Sequence, residues 1–172
     1  MTIAQANAAA AAFEALIEFD MHIETFASNW VHCDQLSTYL ARMISHNRAD
    51  SARHSNLFSS ALNELLEVAF RARHTDGELQ CKVLRSGNWD RIALTFPCTE
   101  EERTFFNGAL AQISGDDALE RYLFSVSTDL APSREVVLAE LVLNYEALIS
   151  IEDAGAHRIR LIVDLPLEEL VI

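Results

Sequence analysis

The spacing of apolar and polar positions changes period several times along the chain, and each change marks an element. Between Ser51 and Arg73, Phe58, Ala61, Leu62, Leu65, Leu66 and Ala69 recur three and four residues apart, which places them on one helical face. The stretch predicts a long amphipathic helix with Ser51 as its cap. Burying each large side chain on that face contributes about 1.5–3 kcal/mol, so this helix is the expected centre of the core. Upstream, Ile17, Phe19, Met21 and Ile23 alternate with Glu18, Asp20, His22 and Glu24, the period of a half-buried strand. Residues 1–14 form a lead-in segment to it. Trp30, Leu36, Leu40, Met43 and Ile44 return to the helical period and predict a helix over about Val31–Ser45, followed by a polar break at His46–Asp50.

Downstream of a turn at His74–Gly77, strands are predicted over Glu78–Arg85 and Arg91–Phe96, joined by the hairpin turn Ser86-Gly87-Asn88 and ended by Pro97. Thr99-Glu100-Glu101-Glu102 reads as a capping box with acidic side chains in the first turn. Its helix runs through Phe105, Leu110 and Ile113. Ser114-Gly115-Asp116 stops it and starts another helix carrying Leu119, Tyr122 and Leu123. Pro132-Ser133 begins a fifth, with Val137, Leu138, Leu141 and Val142, ending near Tyr145. Ala147–Ile151 and Arg158–Asp164 predict a closing hairpin around Asp153-Ala154-Gly155.

Strands joined by tight turns cannot be parallel. The pattern therefore predicts an α+β two-layer sandwich, with a mixed, mostly antiparallel sheet and helices on one face. A length of 172 residues fits one domain over 1–172.

Composition narrows the function. Half the residues are apolar and 23% are charged, as in a globular chain. The formal net charge of -13 repels phosphate backbones and anionic lipid heads, so neither nucleic acid nor membrane is an expected partner. No run approaches the roughly 20 apolar residues of a membrane span. The first twelve residues lack the basic region and apolar run of a signal peptide. The expected compartment is the cytoplasm. Cys33, Cys81 and Cys98 are odd in number and form no Cys-x-x-Cys pair, which predicts reduced, buried thiols rather than disulfides or zinc.

The six histidines, His22, His32, His46, His54, His74 and His157, lack the i, i+4 pairing with a carboxylate of a helical zinc site, so no metal site is expected. His46 and His54 flank the start of the long helix. An exposed helical histidine there is what phosphotransfer needs, and His54 is the first candidate. No Gly-x-Ser-x-Gly elbow, phosphate loop or paired catalytic carboxylate stands out.

The long helix carries Asn63-Glu64-Leu65-Leu66-Glu67-Val68-Ala69. With the order of elements, this motif resembles the histidine-kinase-type ATPase superfamily (the Bergerat, or GHKL, fold). In that family a helical Glu acts as base or orients water, and an Asn four residues later holds Mg²⁺ on the nucleotide phosphates. The spacing sets both side chains one turn apart on one flank. Glu64 matches the Glu; Val68 stands at the Asn position. By this resemblance Glu64 is the catalytic candidate, as base or relic, and Asn63, Glu64 and Glu67 are the cofactor-binding candidates. Asn63 and Glu67 fall on the polar side of the helix. The family's Asp-x-Gly-x-Gly loop and glycine-rich lid are absent from a chain with five glycines. Asp153-Ala154-Gly155-Ala156 has the Asp-x-Gly spacing, and a hairpin turn accounts for it equally well.

Within the superfamily the chain looks similar to SiaB-like and anti-sigma-factor regulators of partner-switch circuits. The likeness covers the first strand, the helix from Trp30 to Ser45, the Asn-Glu-Leu-Leu-Glu helix and the late Leu141–Tyr145 segment. It implies a bacterial signal-transduction regulator that binds a partner such as a STAS domain or a response regulator, and it is compatible with a homodimer. With Val68 in place of the metal ligand, no cofactor is expected and regulation without ATP turnover comes first. The alternatives are an active serine kinase that uses ATP and Mg²⁺ to phosphorylate a STAS partner, and a histidine phosphotransfer protein.

Overall fold

Chain order in the computed structural model is β1 (Glu14–His22), α1 (Val31–Ser45), α2 (Ser51–Arg71), β2 (Glu78–Ser86), β3 (Trp89–Pro97), α3 (Glu100–Ile113), α4 (Arg134–Tyr145), β4 (Leu148–Asp153) and β5 (Arg158–Leu165). The structure describes residues 12–24, 31–71, 77–113, 120, 122–123, 133–155 and 157–167. The strands form one open sheet in the order β1-β2-β3-β5-β4. Every neighbouring pair is antiparallel, so the expectation of a mixed sheet is corrected. A single crossover helix would return the chain to a parallel strand. Here two helices, turned against each other at residues 46–50, return it reversed, and β1 pairs antiparallel with β2.

Local chemistry sets the boundaries. The β2–β3 hairpin closes on Ser86↔Trp89, with Gly87 at φ +56° as the first of two loop residues, the position where a type II′ turn wants glycine. Thr99 N donates to Glu102 Oε2 at 3.0 Å and Glu102 N donates to Thr99 Oγ1 at 3.2 Å, a reciprocal capping box at the start of α3. Val136 N donates to Ser133 Oγ at 3.4 Å and caps α4. In the β4–β5 turn, Gly155 N donates to the Asp153 carboxylate at 3.0 Å, so Asp153-Ala154-Gly155 is a hairpin turn with its own side-chain brace. β1 stops at His22, one residue short of Ile23, whose N–H donates to Gly77 O at 3.0 Å. Trp30 and most of the expected helix around Leu119 lie outside the described residues.

The sheet buries one face under the helices. Leu79, Cys81 and Val83 of β2, Ile92 and Leu94 of β3, and Leu161 and Val163 of β5 meet Phe58, Leu62, Leu65 and Leu66 of α2 in the core. Alternate residues point to the other face, where Lys82–Glu18, Arg91–Asp164 and Arg160–Glu152 form ion pairs across strands. In the helix layer α1 packs on α2, α2 on α4, and α4 on α3. The result is the expected α+β architecture with helices on one face. No helix among the described residues is long and apolar enough to cross a membrane.

Candidate functional site

Of the sequence candidates, Glu64 lies on the flank of α2 that turns toward α4. Asn63, Glu64 and Glu67 are all half-buried, so the polar side of the helix is partly covered rather than bathed in water. Tyr145, the last residue of α4, donates to Glu64 Oε1 at 3.4 Å. Glu140, also on α4, accepts from Tyr122 at 3.0 Å. Burial pushes the Glu64 carboxyl up to about 7, the charges of Glu140 and Glu67 push it the same way, and the Tyr145 hydrogen bond opposes them. Glu64 Oε2 is buried without a hydrogen-bond partner. One turn on, Val68 is wholly buried in the core. No group of three or more His, Cys, Asp or Glu placed to hold a metal ion occurs among the described residues. Among the described residues no hydrogen bond or ion pair joins Asn63 to Glu64.

At the other end of α2 the structure brings together residues that the sequence reading left apart. His54 Nε2 stands 2.6 Å from Asp90 Oδ2, and His54 Nδ1 stands 2.7 Å from Ser45 Oγ. Ser45 Oγ donates to Ala41 O at 2.6 Å. Arg85 holds the Asp90 carboxylate through Nε at 2.6 Å and Nη2 at 3.0 Å, and its Nη1 donates to Ile44 O at 3.1 Å. The bonds tie α1, α2 and the β2–β3 hairpin together. Burial would raise the Asp90 carboxyl, but hydrogen bonds from His54 and Arg85 outweigh it and hold the group below its ordinary value. Ser45 has one hydroxyl proton for two close neighbours. With that proton on Ala41 O, Ser45 Oγ is left as an acceptor toward His54 Nδ1.

His54 is therefore not the exposed residue expected from the sequence; it is 1% exposed. The reason is its place on the apolar stripe, one turn before Phe58, on which its ring stacks at 6.0 Å. A phosphoacceptor needs a free ring nitrogen, and both nitrogens of His54 are engaged. His46, in the turn after α1, is exposed. Ser45, His54 and Asp90 have the composition of a nucleophile–base–acid triad without its chemistry. The hydroxyl donates to a helical carbonyl instead of the imidazole, and Ser45 is buried.

The signal for this network was periodicity. Asp90 shares its strand face with Ile92, Leu94 and Phe96, and Ser45 shares its helix face with Leu40, Ala41 and Ile44. A polar residue on an apolar face is a buried polar group awaiting a partner. Beside the network, an open cavity of about 400 Å³ is lined by Arg42, Ser45, His46, Ser51, Ala52, Ser55 and Asn56.

Cys33, Cys81 and Cys98 are buried free thiols, as expected. Burial pushes Cys33 and Cys98 up to about 11, with Glu67 adding to the effect at Cys33 and Glu102 at Cys98. Cys81 is raised further, by burial alone.

Compared with protein families, with curated proteins and with solved structures, the chain matches no family model, no curated protein and no solved structure.

Proposed function

We propose that the chain is a signalling regulator that acts by binding another protein, on a histidine-kinase-ATPase-like scaffold that has lost its metal position. Val68 carries this reading. It is a hydrocarbon side chain buried in the core, one turn beyond Glu64, where the resemblance puts the Asn that holds Mg²⁺. A branched alkyl group offers no oxygen to a hard cation. The order of elements among the described residues supports the same reading: strand, two helices, hairpin, helices, hairpin. So does the flank itself. Tyr145 and Glu140 of α4 lie against Glu64, and the charges of Glu140 and Glu67 already oppose its ionisation. A nucleotide triphosphate entering there would add more negative charge to an acidic, partly desolvated place. A small signalling domain of the STAS or receiver kind is the proposed partner, in the cytoplasm. Calorimetry with Mg-ATP is the test: the reading predicts no saturable heat.

A second reading has one observation in its favour. A carboxyl raised to about 7 is suited to take a proton from a serine hydroxyl near neutral pH. Glu64 would then be the base of a serine kinase. That reading requires phosphate transfer from radiolabelled ATP to the serine of a purified STAS domain, lost in Glu64→Ala.

A further inference from the structure

β4 ends the sheet on one side, with β5 as its neighbour. At the head of their hairpin Ala154 N donates to Arg158 O at 3.3 Å. Hydrogen-bonded and open pairs alternate along an antiparallel ladder. Glu152↔Arg160, Ser150↔Ile162 and Leu148↔Asp164 are therefore the pairs that bond to β5. Ile149, Ile151 and Asp153 fall between them, and their N–H and C=O groups point out of the sheet. Among the described residues no backbone bond reaches that row. Ile149 and Ile151 lie opposite Val163 and Leu161, on the helix side, and are only half-buried. The other edge is guarded differently. β1 breaks its register between Ala15 and Ile17 and exposes Glu18, Asp20 and His22, a bulge and polar side chains of the kind that stop an edge from pairing. β4 keeps an unbroken register and has no proline or lysine.

We infer that the β4 edge is a docking site for an extended, basic segment of another protein, which adds as a sixth strand. The backbone sets the shape of the occupant: a row of unpaired N–H and C=O groups is matched by another extended chain. Charge sets its composition. Between Arg134 and Arg158 the chain carries Glu135, Glu140, Glu146, Glu152 and Asp153 and no Lys or Arg. Glu146, Glu152 and Asp153 are exposed around β4, and Glu100 and Glu101 are exposed in the first turn of α3, where Arg103 reaches Asp153 at 3.5 Å. Arg103 and Arg160 face these acids and leave the edge net negative. A second copy of the chain would bring the same acids against themselves, under an overall charge of -13. A segment with alternate apolar and basic residues fits both sides of the edge: the apolar set extends the layer of Ile149 and Ile151, and the basic set lies beside Ser150 and Glu152. The inference names a surface for the partner binding proposed above. Binding of Mg-ATP at α2 would end that reading and leave this one standing, and the experiment below does not involve nucleotide.

The probe is a fluorescein-labelled peptide, Lys-Val-Lys-Val-Lys-Val-Lys, titrated with the full chain at about 0.15 M salt, where charges more than about 8 Å apart are screened. Fluorescence anisotropy is expected to saturate. Two further peptides carry N-methyl groups, one on its valine amides and one on its lysine amides. A strand meets its neighbour along one edge, so one of the two is expected to lose binding about tenfold or more and the other to keep it. Ile151→Pro removes an outward N–H and no bond to β5, and is expected to weaken the unmodified peptide about tenfold. Glu152→Lys is expected to weaken it severalfold. Circular dichroism checks the fold of both variants, and the methylated peptides carry the test on the wild type if either fails to fold. No saturation overturns the inference. So do methylated peptides that behave alike, which would make the binding a matter of charge alone. A wild-type dimer in sedimentation velocity that Ile151→Pro dissociates also overturns it, because the edge would then belong to a second copy.

Discussion

His54 Nε2 and Asp90 Oδ2 lie 2.6 Å apart with both side chains inside the core, which makes a buried hydrogen bond the clasp between α2 and the β2–β3 hairpin. Its other supports are Ser45 on α1 and Arg85 on β2. Asp90→Ala removes the only acid that His54 and Arg85 share among these contacts and leaves their protons facing a hydrocarbon core. Removing one partner of a buried pair costs about 3–5 kcal/mol. Arg85 retains some solvent access, 22% at its side chain, which places the expected loss near the lower end, about 3 kcal/mol. Ser45→Ala takes away one acceptor and one donor and is expected to cost about 1–2 kcal/mol. Urea denaturation of the two variants checks both the size and the order.

The two ends of α2 respond to pH with opposite sign. Asp90 and Asp50 are held below their ordinary value of 3.8, Asp90 against its burial by His54 and Arg85, Asp50 by the Arg48 hydrogen bond. Their stabilisation is present above the unfolded value and is lost as pH falls through the lowered folded one. Glu64 is raised from 4.5 to about 7. Its contribution is full below 4.5 and is lost as pH rises through about 7. Allowing for solvent screening of a half-buried group, the loss is about 1–2 kcal/mol. Glu64→Gln is therefore expected to be more stable than wild type at pH 8 and to show no such gain at pH 4. Denaturation midpoints at the two values measure it.

Burial keeps all three thiols protonated at neutral pH, and thiolate is the reactive form. Native protein is expected to resist iodoacetamide at pH 7.5, and protein unfolded in urea to take up three equivalents. Mass spectrometry of the alkylated chain reads this directly.

Gly77 has φ +120°, and a Cβ there would stand 2.6 Å from Pro97 Cγ. The backbone conformation and the contact both oppose a side chain. Gly77→Ala is expected to cost about 1–3 kcal/mol. Gly87, at φ +56° with open space around it, has only the backbone cost, about 1 kcal/mol for Gly87→Ala. Thermal unfolding of the pair separates the two effects.

The elements set by local chemistry were legible in the sequence. The period of Leu40 and Ile44 placed α1. The Thr99–Glu102 box started α3, Gly87 turned the β2–β3 hairpin, and Ser133 opened α4. The direction of β1 relative to β2 was not legible, because it depends on how two helices fold back across the sheet, and no local residue encodes that. His54 shows why the buried network was missed. Its position four residues before Phe58 placed it on the apolar stripe, but the partners that make burial tolerable come from residues 45, 85 and 90, apart in sequence and joined only by the fold. Glu64 was found by its motif, while its surroundings were not. Tyr145 and Glu140, which adjust its ionisation after burial has raised it, lie at least 76 residues away along the chain.

The proposed role predicts that the α2 flank does not receive Mg-ATP. Isothermal calorimetry of the wild-type protein with Mg-ATP up to millimolar nucleotide tests it most directly. The account predicts no saturable binding heat and no released phosphate. Micromolar binding with turnover, both abolished in Glu64→Ala, would contradict it.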